Sequence, residues 1–143
     1  MTEIQRSALL PFAAGRLFKL VNDIEAYPQY MDGCVGAEIL AREADAVEAR
    51  LDLARGGIRQ SFSTRNRSEG EAAISLELID GPFEFFEGRW EFEALGDTAC
   101  KVSLQLRFKA SSVLLSAAAG SLFEGVSTNL VDAVCQRAQR LYG

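Results

Sequence analysis

Gln60, Thr64 and Asn66 share one strand face with Ile58 and Phe62. Polar side chains so placed either satisfy one another near a sheet edge or hydrogen-bond the head of a ligand, because apolar pockets carry a few orienting polar groups. Stronger chemistry is hard to find. The chain has no histidine, which removes Ser-His-Asp and Cys-His nucleophile systems, histidine-based zinc and the usual general base near neutral pH. The Asp and Glu residues fall mostly at turns or on wet strand faces, as Glu87, Glu91 and Glu93 do around Arg89. Gly81-Pro82-Phe83 and Gly88-Arg89-Trp90 fit no phosphate-binding loop. Cys34, Cys100 and Cys135 are far apart with no CxxC pair, so they read as small hydrophobes of a reducing compartment rather than a disulfide framework or metal site. The catalytic and metal sets are therefore empty and no cofactor is required. An interior acid or base could come only from Arg6 or Tyr30. Arg6, on the face of Ile4, Ala8 and Leu10, is either a cavity anchor or, as we prefer, belongs to a strand whose register differs near the terminus.

A second set of residues concerns space rather than reactivity. Leu51, Phe62, Leu76, Trp90, Phe92 and Phe108 point to an aromatic and aliphatic interior, closed from the other side by Leu122 and Val126. Gly88 among them, and Gly120 and Gly125 opposite, remove side-chain volume, so a cavity is expected between sheet and cover. Its expected lining is Tyr30, Leu51, Gln60, Phe62, Thr64, Leu76, Trp90, Phe92, Leu122 and Val126. The net charge of −5 argues against broad nucleic-acid binding and against sequence-specific DNA contacts. A local basic patch remains open at Arg55, Arg59, Arg65 and Arg67, whose plainer role is a solvated face paired with Glu48, Asp52 or Glu69.

These residues need elements to hold them. Ile4 to Leu10 reads as a strand ended by Pro11, and Ala14, Leu17, Phe18 and Val21 trace a helical face over Ala13 to Val21. Ile24 to Met31 follows as a short helical segment interrupted by Pro28, a residue helices tolerate in a first turn. The period then becomes two through six strands, with turns at Gly56-Gly57, Gly70, Asp80-Gly81-Pro82 and Gly96-Asp97. Their apolar face demands a cover. Ser111 or Ser112 can cap a helix that runs without proline to Tyr142, roughly 45 Å long. Its stripe is Leu115, Ala119, Leu122, Val126, Leu130, Ala133 and Arg137. Val113 to Ala119 is apolar all round, which suits burial, a dimer contact or a transient membrane-surface contact. The whole chain, 1–143, is expected to be one α+β domain in the cytoplasm: it shows no secretion signal and no stretch long enough to span a bilayer.

Val21-Asn22-Asp23-Ile24-Glu25-Ala26-Tyr27-Pro28-Gln29-Tyr30, followed by Gly33-Cys34, resembles the START-like family of coenzyme Q-binding proteins and ribosome association toxins, within the polyketide cyclase/dehydrase-like superfamily. Arg55 to Asn66, Asp80-Gly81-Pro82-Phe83, the Gly88, Trp90, Phe92 spacing and Ala99-Cys100-Lys101-Val102 are similar to the ribosome-toxin branch. Asp32 departs from the family's usual proline before the Gly-Cys element. The resemblance implies a helix-grip fold, in which a curved antiparallel sheet wraps a long C-terminal helix around a hydrophobic tunnel. It further implies ubiquinone or a related polyisoprenoid lipid as bound ligand, support of respiratory electron transfer, and a position peripheral to the inner membrane. An alternative it implies is a toxin that binds the large ribosomal subunit and blocks subunit association. A cyclase-like enzyme is the third reading, resting on shared fold alone.

Overall fold

The computed structural model describes residues 1–111 and 117–143. Strand β1 (Thr2–Leu10) leads into helix α1 (Ala14–Asn22) and a 3-10 segment at Ile24–Gln29. Six strands follow: β2 (Cys34–Arg42), β3 (Ala46–Arg55), β4 (Ile58–Glu69), β5 (Ala73–Asp80), β6 (Phe83–Ala94) and β7 (Cys100–Ala110). Helices α2 (Ala117–Thr128) and α3 (Leu130–Tyr142) close the chain. The sheet order is β1-β7-β6-β5-β4-β3-β2 with every pair antiparallel, so the six-strand meander is complete and β1 adds to its far edge.

The strands form where side chains alternate. In β3, Val47, Ala49 and Leu53 are buried, while Glu48, Arg50 and Asp52 join the ion pairs of the outer face. Gly56 and Gly57 make the two-residue turn between β3 and β4, with φ of +60° and +82°. Both central residues of a primed turn need positive φ, which costs glycine nothing. Two carboxylates of the outer row are paired, Glu87 with Arg107 at 3.1 Å and Glu91 with Arg89 at 3.7 Å.

The inner face is covered in three places. Helix α1 buries Leu17, Phe18, Leu20 and Val21 against β6 and β7, with the Phe18 ring edge-on to Phe92. Helix α2 crosses β3 and β4, and α3 crosses β1 and β7. Pro28 stands inside its 3-10 segment, near the end, and the Tyr27 carbonyl closes the segment by accepting the N–H groups of Tyr30 and Met31.

The expected single long helix is broken. Asn129 lies between α2 and α3, where the Thr128 hydroxyl donates to the Glu124 carbonyl and the Asn129 amide donates to the Gly125 carbonyl. Side chains that bond back to carbonyls four residues earlier compete with the ladder and bend helices. Beyond the break the fully buried row is Val131, Val134 and Ala138, one position on from the expected Leu130, Ala133 and Arg137. The expected cap at Ser112, and most of Val113 to Ala119, fall outside the described residues. No helix among the described residues is long and apolar enough to cross a membrane.

Candidate functional site

Between the sheet and α2 lies a cavity of about 70 Å³. That is room for several waters but less than the roughly 150 Å³ that accepts a benzene ring. Alternation sends Leu51 and Leu53 of β3, Phe62 of β4, Leu76 of β5, Phe86 and Trp90 of β6 and Leu106 of β7 into it. Helix α2 adds Phe123, Val126 and Ser127 from above, and Leu130 follows just past the break. Tyr27 comes from the 3-10 segment, Met31 from the loop after it and Cys34 from the first position of β2. That loop reaches α2 because Gly33 has no side chain: at φ +90° a Cβ there would stand 2.6 Å from Val126 Cγ2.

Three polar side chains interrupt this apolar wall: Thr64, Asn66 and Ser127, all buried. The Thr64 hydroxyl donates to Asn66 Oδ1 at 2.7 Å. Among the described residues, no Asp, Glu, Lys or Arg lines the cavity. The two ionisable groups that do are held protonated. Burial pushes the Tyr27 phenol well above its ordinary value, and the Tyr27 hydroxyl donates to the Val21 carbonyl. Burial likewise pushes the Cys34 thiol up, against a smaller opposing contribution from the Gly36 backbone. The site therefore offers shape, apolar surface and neutral hydrogen bonds rather than a base or nucleophile.

Of the ten residues expected to line it, Leu51, Phe62, Thr64, Leu76, Trp90 and Val126 do so. Phe92 is one layer behind, stacked on Trp90 at 6.3 Å between ring centroids. Leu122 is buried beside Gly33 without reaching the cavity. Gln60 is half-buried opposite Leu53 in the register, nearer the hairpin tip. Tyr30 walls a surface groove behind the cavity, and its hydroxyl is buried with no hydrogen-bond partner among the described residues. Met31, Val126 and Leu130 line both that groove and the cavity, so a wall one side chain thick separates them at the helix break.

Gly88 does not leave the space expected of it. A Cβ there would stand 2.6 Å from Leu106 Cδ2 and 2.9 Å from Leu76 Cδ1, so neighbouring leucines already fill its place. Gly125 faces Arg55, whose Nη1 would be 3.6 Å from an added Cβ. Phe123 also occupies space the cavity was expected to have: its ring is 4.7 Å from both Phe83 and Phe108 and 5.3 Å from Phe62. Arg6 is exposed on edge strand β1, opposite Leu104. Neither candidate acid or base, Arg6 or Tyr30, lines the cavity.

The basic patch divides. Arg59, Arg65 and Arg67 share the outer face of β4, but Arg55 falls on the inner side at the hairpin end, near Gly33 and Gly125, and bonds Asp32 Oδ2 at 2.9 Å. Arg65 is committed to Glu43 and Glu48 at 2.9 and 2.8 Å, and its guanidinium holds the Glu43 carboxyl below the usual range. Arg59 and Arg67 form no ion pair among the described residues. The two partnerless cations flank a neutralised one.

A seven-stranded sheet closed over an apolar cavity by C-terminal helices defines a START-like protein, and the chain belongs to the family described as polyketide cyclase / dehydrase and lipid transport, which matches residues 10–135. Within that class it is similar to the ribosome association toxin RatA of Pseudomonas aeruginosa, at 44% identity over 99% of both chains. Two solved structures share the fold: a START superfamily protein from Mycobacterium smegmatis (TM-score 0.80, 24% identity, 97% of this chain and 98% of that one) and the Zhui aromatase/cyclase from Streptomyces sp. R1128 (TM-score 0.81, 17% identity, 97% and 94%).

Proposed function

We propose that this protein is a non-enzymatic holder of a mostly apolar ligand that acts at the ribosome. The ligand-holding half rests on one observation: a buried cavity with apolar walls, three neutral polar groups and no titratable group available for proton transfer near neutral pH. A cyclase would need an acid or base in that space, and the two candidates lie outside it. The cavity holds less than one aromatic ring, so a ubiquinone or other polyisoprenoid must part the lining. The thin wall at Met31, Val126 and Leu130 is the shortest route in. Apolar burial at about 0.8 kcal/mol per CH₂ gives each isoprenoid unit roughly 3–4 kcal/mol before ordering costs. Organic extraction of the purified protein followed by mass spectrometry should recover an apolar compound near one equivalent. Recovery of none, together with no uptake from added quinone, would remove this half.

The ribosomal half rests on the name of the relative at 44% identity, with the unpaired Arg59 and Arg67 as the side chains suited to RNA phosphates. Arg65 contributes little net charge to a partner, because two glutamates already hold it. The discriminating variant is therefore Arg59→Glu with Arg67→Glu, which leaves the Arg65 cluster intact. It should abolish co-sedimentation with the large ribosomal subunit, and wild-type binding should weaken steeply with salt. Co-sedimentation indifferent to both would show that another surface is used.

A further inference from the structure

We infer that the cavity selects an uncharged ligand bearing a hydrogen-bond-accepting oxygen, a ketone, ester or quinone carbonyl, and holds that oxygen with the Asn66 side-chain amide; this rests on the ligand-holding reading above. Asn66 is 9% exposed and lines the cavity from β4. Thr64, two residues earlier on the same face, donates its hydroxyl proton to Asn66 Oδ1. That bond fixes the amide: its oxygen is occupied, and its NH₂ is directed away from Thr64. The NH₂ has no protein partner among the described residues, and its side chain lines the cavity, so it is open to a ligand there. An amide nitrogen only donates, so the complementary group is an acceptor. Ser127, 3% exposed on the facing helix, adds a second neutral hydroxyl to the same cavity.

Charge is selected against by the same geometry. Among the described residues no cation lines the cavity to receive a carboxylate or phosphate, and burying an unpaired anion is far costlier than burying a carbonyl. A fatty acid must bind protonated, at a penalty near neutral pH, whereas a neutral carbonyl lipid of equal length enters without that penalty. The site therefore distinguishes ligands by head-group chemistry and leaves tail length to the apolar walls.

The test uses full-length delipidated protein labelled with ¹⁵N, titrated with 2-tridecanone, 1-tridecene and dodecanoate at pH 7. The ketone should shift the Asn66 side-chain NH₂ resonances, assigned by their loss in Asn66→Leu, and the hydrocarbon should leave them nearly unmoved. Asn66→Leu should weaken ketone binding about three- to tenfold, the worth of one hydrogen bond, while hydrocarbon binding holds. Thr64→Val, close in shape, should weaken ketone binding in the same direction by releasing the amide from its fixed orientation, which keeps the inference testable if the leucine variant folds poorly. Ketone affinity unchanged in the variants, or dodecanoate bound as tightly as the ketone, would overturn the inference while leaving ligand holding intact. Binding of none of the three probes would overturn both.

Discussion

Two tyrosines three residues apart should respond to the same substitution with opposite sign. Tyr27 is 7% exposed and its hydroxyl donates to the carbonyl of Val21, in the last turn of α1. Carbonyls there lack intrahelical donors, and Val21 is itself buried. Tyr27→Phe therefore removes a hydrogen bond and strands a buried acceptor, at a cost of about 1–3 kcal/mol. The Tyr30 hydroxyl is buried with no partner among the described residues, so Tyr30→Phe discards a polar group that already carries its desolvation cost. The gain is about 0.5–1 kcal/mol. Both variants keep the edge-on contact of the two rings at 6.0 Å and the placement of the Arg137 guanidinium over the Tyr30 ring. The two should thus differ by about 1.5–4 kcal/mol, equivalent to roughly 3 °C or more in Tm for a chain of this size. Urea unfolding with unchanged m values gives the free energies. Equal destabilisation of both would refute the reasoning, because the Tyr30 hydroxyl would then have a partner of the same worth as Val21.

Gly88→Ala should cost about 1–2 kcal/mol, since the new methyl pushes Leu76 and Leu106 into the cavity they line; ligand affinity should fall with it, and a stabilised variant with undiminished affinity would show the leucines yielding elsewhere. Leu122→Asp places an unpaired carboxylate at a position 6% exposed and should cost about 3–5 kcal/mol. Arg140→Asp, on the exposed last turn of α3, should cost less than about 1 kcal/mol; equal urea midpoints for the two would mean the helix face is wrong. Stability should decline as pH rises from about 9 into the alkaline range. The folded-state pKa values of Cys34, Tyr27 and Tyr30 are all raised by burial, so above their ordinary values the unfolded chain binds fewer protons than the native one and gains relative stability. Urea midpoints at pH 8, 10 and 11 check this, and a midpoint that holds or rises across them would contradict it.

Local periodicity carried the sheet. Alternation through β3 to β7 placed Leu51, Phe62, Leu76 and Trp90 on the inner face, and Gly56-Gly57 marked its turn because only glycine pays nothing for two successive positive φ angles. Leu53, Phe86 and Leu106 were readable from the same alternation as inward residues. Phe123 and Ser127 sit one position beyond the expected Leu122 and Val126, because α2 buries a face wider than one stripe. Tyr27 and Met31 carried no periodic signal, since a 3-10 segment and a loop deliver them, and Cys34 stands at the very start of β2. The break at Asn129 has neither proline nor glycine at the kink, only side chains that bond back into the helix. What fills the place above Gly88 depends on leucines from two other strands, which no local pattern reveals. Arg55 was grouped with its neighbours in sequence although its parity, shared with Leu53, already set it on the inner side.

Trp90 is the only tryptophan, is 3% exposed and lines the cavity, so its fluorescence reports ligand entry at one place. Short-tailed ubiquinone added to delipidated protein should quench its emission saturably, because a quinone held against the indole accepts its excited electron. A detergent of similar tail length should compete without quenching. Quenching that is absent, or that rises only linearly with quinone concentration, would contradict the claim that this cavity holds a carbonyl-bearing apolar ligand.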